Sequence, residues 1–294
     1  MLKAQDFSVS SSLDTLDLTP GDGICADTNG ECSLRAAIME SNANSDQNTI
    51  NLERGQTYKI TRPNVTNTEI DGDLDIYENL IIQIINPHLP IQSIAELPTI
   101  DADGLDRVFQ IDGAAFVTFD GLRIINGDAT IYGSQGGGAV LVEDTVNTFT
   151  LKNSVIEHNK ATSGAGLHLK AASSLIERTD ISNNQTSTAG GQVQGVAIFQ
   201  ELGSLQLHRS SIHHNSRGET QPGCVFAVDN YLNASSITVL NSTVSNNGSY
   251  DPLSCIGGIR LLNVSGVFNN ITVVKNAGAG IHFYDDPNDI NPAT

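Results

Sequence analysis

Tryptophan is absent from this 294-residue chain, aromatic residues reach only 5%, and charged residues only 16%. Cations are the scarcer charge: 15 Lys and Arg stand against 33 Asp and Glu, a net charge of −18. Neutralising phosphates needs a broad cationic surface, so nucleic-acid binding is not expected. No apolar run approaches the ~18 residues of a membrane span, and no insertion of this segment into a bilayer is expected. Met1-Leu2-Lys3 opens into polar sequence without an apolar signal region, which reads as a mature form carrying an added Met. No Gly-rich phosphate loop and no G-x-S-x-G elbow occurs, so nucleotide chemistry and triad hydrolysis are not expected. What remains is a chain with 39% hydrophobic residues, enough for a large core. Glycine and asparagine each number 27.

The asparagines and glycines recur. The segments DGLRIING, KNSVIEHN, RTDISNN, RSSIHHN, NSTVSNN and NITVVKN each carry an apolar residue three positions before a closing Gly or Asn. Those closing residues are Gly127, Asn159, Asn184, Asn215, Asn247 and Asn276. A second set of glycines, among them Gly138, Gly166, Gly195 and Gly258, precedes short stretches that alternate with period two, as half-buried strands do. Short strands at a period of ~25–32 residues, without helical periodicity, identify a β-solenoid. The expected fold is all-β, a single-stranded right-handed parallel β-helix, with bends at the asparagines because Asn and Gly tolerate left-handed backbone. Asn159, Asn184, Asn215, Asn247 and Asn276 are expected to stack as a structural ladder from coil to coil.

Residues 51–294 are expected to form one continuous domain of about eight coils, and residues 1–50 a cap. The only helical candidate is CSLRAAIMESNA, with Ser33 as N-cap and Leu34, Ala37, Ile38 and Ser41 at helical spacing. A solenoid leaves an apolar, hydrogen-bonding end that needs covering, so a capping helix is expected near residues 33–42. Cys25 and Cys32 lie seven apart in a Gly/Asp/Asn-rich loop, and Cys224 and Cys255 about one repeat apart. Neither pair has zinc-ligand spacing. Disulfides at 25–32 and 224–255 are the simplest reading, implying a secreted, periplasmic or cell-surface protein. Four free thiols in a cytosolic protein are the alternative.

The stretch DTLDLTPGDGICADTNGECSLRAAIMESNA, followed by GDLDI, TIDADGLDRVFQI and LRIING, resembles the CSLREA domain that opens bacterial exported β-helix proteins. The resemblance runs over roughly residues 7–130 and departs at Ala36, where the family name carries Glu. It implies an exported or surface protein, often described as an adhesin, with no established catalytic residues.

Many parallel β-helices act on polysaccharides, which needs carboxylates and cations on one outward face. If Gly+1 and Gly+3 point inward, the outward rows are Val140, His168, Ala197, Val225, Arg260 and His282, and Val142, Lys170, Phe199, Ala227, Leu262 and Tyr284. Neither row holds a carboxylate, which leaves Arg260 without an acid partner. The acidic residues gather earlier. Asp73 to Asp101 and Asp75 to Asp103 are each 28 residues apart, near one coil, so these four could stack and bind Ca²⁺. A hydrated acidic edge is the plainer reading. The loop DGICADTNGE resembles a calcium loop in composition alone and is expected to be a disulfide-closed turn. His158, His213 and His214 precede corner asparagines and read as surface turns. The expected function is a noncatalytic exported β-helix for adhesion, polysaccharide binding or structural display. It is expected to be a monomer that meets a polysaccharide or a cell-surface ligand. A lyase-like, polysaccharide-active enzyme with a calcium-assisted acidic site is the alternative.

Overall fold

The computed structural model describes residues 3–284, apart from 67, 115, 132–135, 188–194, 219–224, 249–255, 263 and 279. Cys224 and Cys255 lie outside the described residues.

Parallel strands wind into successive coils, each strand pairing with its equivalents in the coils before and after. One row is an eight-stranded sheet running from Thr57–Lys59 through Val155–Glu157 to Thr272–Val274. Its central positions Ile124, Ile156, Ile181, Ile212 and Val244 stack in register and are almost wholly buried. A second row includes Phe116–Asp120, Thr148–Lys152 and Ser173–Glu177. A third includes Leu74–Ile76, Phe109–Ile111, Val140–Val142 and Leu167–Leu169. The long strands Ile198–His208 and Val225–Leu240 serve both of these rows. The core between the rows is one continuous apolar column. Inside it Phe109 and Phe119 lie 4.8 Å apart, and Phe119 meets Phe149 edge-on at 5.6 Å.

The left-handed bends fall one residue before the closing asparagines. Asn126, His158, Asn183, His214, Asn246 and Lys275 all have φ between 53° and 60°. This corrects the expectation that the closing residues themselves make the bend. Freed from it, their side chains turn inward. The carboxamide of Asn159 donates to Oδ1 of Asn184 at 3.0 Å, Asn184 to Asn215 at 3.0 Å, Asn215 to Asn247 at 3.0 Å, and Asn247 to Asn276 at 2.9 Å. Each also donates to a carbonyl of the coil before, as Asn215 does to Ile181 at 2.9 Å. Buried backbone groups at the bend need such partners.

The N-terminal end is covered by α1 (Leu34–Asn42) and by the strand Asp6–Ser8, which pairs with Asn48–Leu52. Ser33 caps the helix, its Oγ accepting from the Ala36 amide at 3.0 Å. The strand Leu74–Ile76 lies at the end of its row. Arg35 donates to the carbonyls of Glu69, Gly72 and Asp73 at 3.1, 2.8 and 3.0 Å. Asn42 donates to that of Asp75 at 2.9 Å. Arg35 also pairs with Asp14 at 2.6 Å, both buried. Cys25 and Cys32 form a disulfide, with Cα atoms 5.1 Å apart, in the loop leading into the helix.

Candidate functional site

The glycines that precede the third row are not equivalent. Val140, Leu167 and Ile198 pair in register, yet they stand two, one and three residues after Gly138, Gly166 and Gly195. Val140 and Val142 therefore face the core and Leu141 faces out, reversing the expected assignment. Ala197 is likewise buried, one residue ahead of that register. The outward line is Asp75, Gln110, Leu141, His168, Phe199, Asp229, Arg260 and His282. It contains carboxylates after all. Arg260 grips Asp229 through Nε and Nη2 at 2.8 and 2.6 Å, so the expectation that it lacks an acid partner fails. Asp229 was missed because it lies five residues beyond Cys224, further than a fixed offset from a glycine would place it.

At the middle of this line His168 touches Glu201 (Nε2 to Oε2, 2.8 Å) and packs on Phe199 with centroids 4.8 Å apart. Burial holds its pKa below the usual histidine value despite Glu201, while the hydrogen bond from His168 lowers that of Glu201. A neutral imidazole donating to a carboxylate fits both directions. Lys170 and Glu143 pair beside it at 2.9 Å. These side chains are engaged with one another, and His168 and Phe199 are buried.

Toward the N-terminal end the line meets an acidic cluster. Asp73 is buried 3.6 Å from Arg107 Nε, and Arg107 also bonds Gln110. Burial pushes the pKa of Asp73 up to about 7 against the pull of Arg107. It pushes Asp75 up to about 6, against a hydrogen bond from Tyr77 and the charge of Arg107. Tyr77 is raised as well, by burial and then by Asp75.

Asp101 and Asp103 do not join this cluster. Asp75 pairs in register with Gln110, whereas Asp101 pairs with Lys59 and Ile125 in a different row. The 28-residue spacing is a step between rows rather than one coil. Asp101 Oδ1 accepts from Asn126 Nδ2 at 2.9 Å, and Asp103 pairs with Lys59 at 3.5 Å. The expected four-aspartate stack is not formed. Among the described residues no group of three or more His, Cys, Asp and Glu is arranged to hold a metal ion. In the loop at 22–31, Asp27 Oδ1 accepts from the amides of Asn29 and Glu31 at 2.7 and 3.0 Å, as turn residues do. His213 Nε2 meets Asp180 at 2.8 Å, and its Nδ1 lies 2.7 Å from that of His214.

The second row presents a different face. Thr118, Thr150, Leu175, Gln206 and Thr238 form one outward line, and Phe116, Thr148, Ser173, Ser204 and Ser236 the line beside it. Neither line carries a charge. Thr118, Thr150 and Thr238 are half-buried, Gln206 and Phe116 exposed. Sequence reasoning passed over this face because it looked only for titratable groups.

The family model for the right-handed beta helix region matches residues 109–292. The chain belongs to that family. A structural comparison returns the crystal structure of the pectate lyase Pel9A, with 13% sequence identity and a TM-score of 0.41 over 93% of this chain and 79% of that one. No curated protein matches the chain. Among the described residues the β-helix carries one disulfide, which points to an oxidising environment. Among the same residues no helix is long and apolar enough to cross a membrane.

Proposed function

We propose that this protein is an exported, noncatalytic β-helix that binds a neutral polysaccharide along the face carrying Thr118, Thr150, Gln206 and Thr238. The observation that carries the reading is the register of that face. Uncharged donors and acceptors recur at the ~4.8 Å step between strands, on a row whose backbone is fixed by its neighbours. An extended polymer meets such a face at many points, so weak hydrogen bonds add up through multivalency. The disulfide and the resemblance of residues 7–130 to the CSLREA segment support export and a place on the cell surface. Affinity electrophoresis against neutral and acidic polysaccharides tests it. Thr150→Lys combined with Gln206→Lys should abolish retardation by the neutral polymer while leaving the melting temperature unchanged. Retardation by no polymer, or by all polymers equally in the variant, overturns it.

The enzyme reading keeps one specific observation in its favour, the two aspartates beside Arg107 that burial raises toward neutrality, a pattern common at catalytic sites. Incubation with acidic polysaccharides, followed by ultraviolet absorbance of unsaturated products, distinguishes it. Activity lost in Asp75→Asn would favour catalysis over display.

A further inference from the structure

One coil departs from the plan at a corner. Between the strands Leu80–Ile84 and Thr99–Asp101 the chain leaves the coil for residues 85–98, where the next coil turns with only Gly121 and Leu122. The excursion is anchored from below. Arg54 Nη1 pairs with Glu96 at 2.8 Å, its Nη2 donates to the carbonyl of Leu89 at 3.0 Å, and the Gly55 amide donates to that of Glu96 at 2.9 Å. Held this way, the excursion stands over the corners of later coils and encloses with them a groove of about 360 Å³. That is the size of a small-ligand or side-chain site.

The groove has two unlike walls. Ile91, Ile94 and Leu97 from the excursion and Val155 from the strand opposite make one of them aliphatic, and Ile94 is 49% exposed. Arg178 lies on the polar side, with Asn153 and Asp180. Carboxylates at this corner are already engaged. Glu177 Oε1 is shared by Arg178 at 2.5 Å and Arg209 at 3.2 Å, and Asp180 Oδ2 is held by His213. Arg178 Nε is taken by Asn153 at 2.7 Å, but among the described residues its Nη2, and Nε and Nη2 of Arg209, take no partner. Their side chains are 44% and 61% exposed. Two guanidiniums thus share one carboxylate, and Arg178 of the two lines the groove beside its aliphatic wall, on a chain whose overall charge is −18.

We infer that this groove is a docking site for an acidic peptide segment of a partner protein, with an aliphatic side chain against Ile94 and Leu97 and a neighbouring carboxylate on Arg178 and Arg209. Charge complementarity selects the carboxylate, since a guanidinium with free N–H groups binds it by charge-assisted hydrogen bonds. The aliphatic wall, which holds no aromatic ring, selects a leucine- or isoleucine-like group over the flat face of a sugar. The site lies on a different face from the threonine lines and does not depend on polysaccharide binding there.

Ligand-observed NMR on the full chain tests the inference, with the blocked dipeptide acetyl-leucyl-aspartyl-amide as probe. Acetyl-leucyl-asparaginyl-amide and a galacturonate oligomer are the comparisons. The aspartyl peptide should bind about tenfold more tightly than the asparaginyl one at low salt, the worth of one charge-assisted pair. Arg178→Ala should erase that preference, and Ile94→Asn should abolish binding of both peptides. Both side chains are substantially exposed, so each variant should keep the parent melting temperature. Equal binding of the two peptides, preference for the galacturonate oligomer, no binding of the aspartyl peptide, or binding unchanged in both variants would each overturn the proposal.

Discussion

The first and last described coils of the solenoid carry the same inward pattern and differ in how far it is buried. Ile76, Ile111, Val142, Leu169 and Leu261 occupy one inward line and are at most 1% exposed. Phe283 pairs in the same line at the last described strand and is 63% exposed. Ile76 is equally at the end of its row, yet nothing of it reaches solvent, because α1 lies on that edge and Arg35 and Asn42 bond its carbonyls. Burial in this fold is therefore conferred by the next coil or by a cap, and an inward-facing side chain alone does not secure it.

Placing one charge at an interior and at a terminal inward position should give the largest contrast. Ile212 is completely buried between Ile181 and Val244. Ile212→Asp sets an unpaired carboxylate among coils and should cost more than about 4 kcal/mol. Phe283→Asp should cost less than about 1 kcal/mol, because the site is already open to water. Urea unfolding of the two variants measures this. Similar midpoints would mean that Phe283 is covered in solution.

The cap gives the next contrast. Arg35→Ala removes three carbonyl contacts and leaves the buried Asp14 carboxylate without its cation, held by the amides of Thr61 and Arg62. Breaking a buried pair from one side costs about 3–5 kcal/mol. The loss should appear first as faster hydrogen exchange in α1 and the strand Leu74–Ile76. If exchange quickens uniformly along the molecule, the cap is not a separate unit.

These ends also show what the sequence made legible. Ser33, the helical spacing after it and the close pair Cys25 and Cys32 are local signals, and each is found where those signals put it. The fold was legible for a related reason: the apolar residue three before each closing Asn repeats, whatever lies between. Facing was not legible for the third row. Its glycines precede equivalent residues by one, two or three positions, and in a strand a single slip reverses every side chain. The aspartate stack failed on length. Asp75 and its true neighbour Gln110 are 35 residues apart, while Asn159 and Asn184 are only 25 apart. A nominal period cannot say which residues meet.

Within the ladder, an interior rung should matter more than the last one. Asn215→Ala takes a partner from the Asn184 amide and carboxamide and from two carbonyls in a fully buried row, while the Asn247 carboxamide keeps the Asn215 backbone amide. A buried group left unsatisfied costs ~1–3 kcal/mol, so a loss of about 2–3 kcal/mol is expected. Asn276→Ala, at a half-exposed end where water can substitute, should lose about 1 kcal/mol or less. Thermal unfolding of both variants measures the ratio, and equal losses would mean the end is as dry as the middle.

The smallest effect belongs to pH, and the part of it due to Asp73 and Asp75 falls at the capped end. Asp73 and Asp75 have folded-state pKa values of about 7 and about 6, above the ordinary 3.8, chiefly because both are buried. Around Asp73 stand Arg107, which opposes the rise, and Asp75 and Asp106, which add to it; Glu69, Arg35 and Tyr77 face Asp75. The folded protein thus holds these protons more tightly than the unfolded chain. Their contribution is fully present below about pH 4 and is lost as pH rises through about 6 and 7. Asp27 and Glu201, whose pKa values are lowered, act in the opposite sense, so the total curve mixes signs. The comparison that isolates the cluster is the parent against Asp73→Asn, which keeps a neutral polar group beside Arg107. Between about pH 4 and about pH 7 the parent should lose about 1–2 kcal/mol more stability than the variant, since a tenfold change in proton affinity is worth ~1.4 kcal/mol before solvent relaxation. Urea unfolding across that range measures the difference, and hydrogen exchange should place it in α1 and the strand Leu74–Ile76, not near Phe283. Parallel curves for the two proteins would mean that Asp73 is ionised throughout and held so by Arg107.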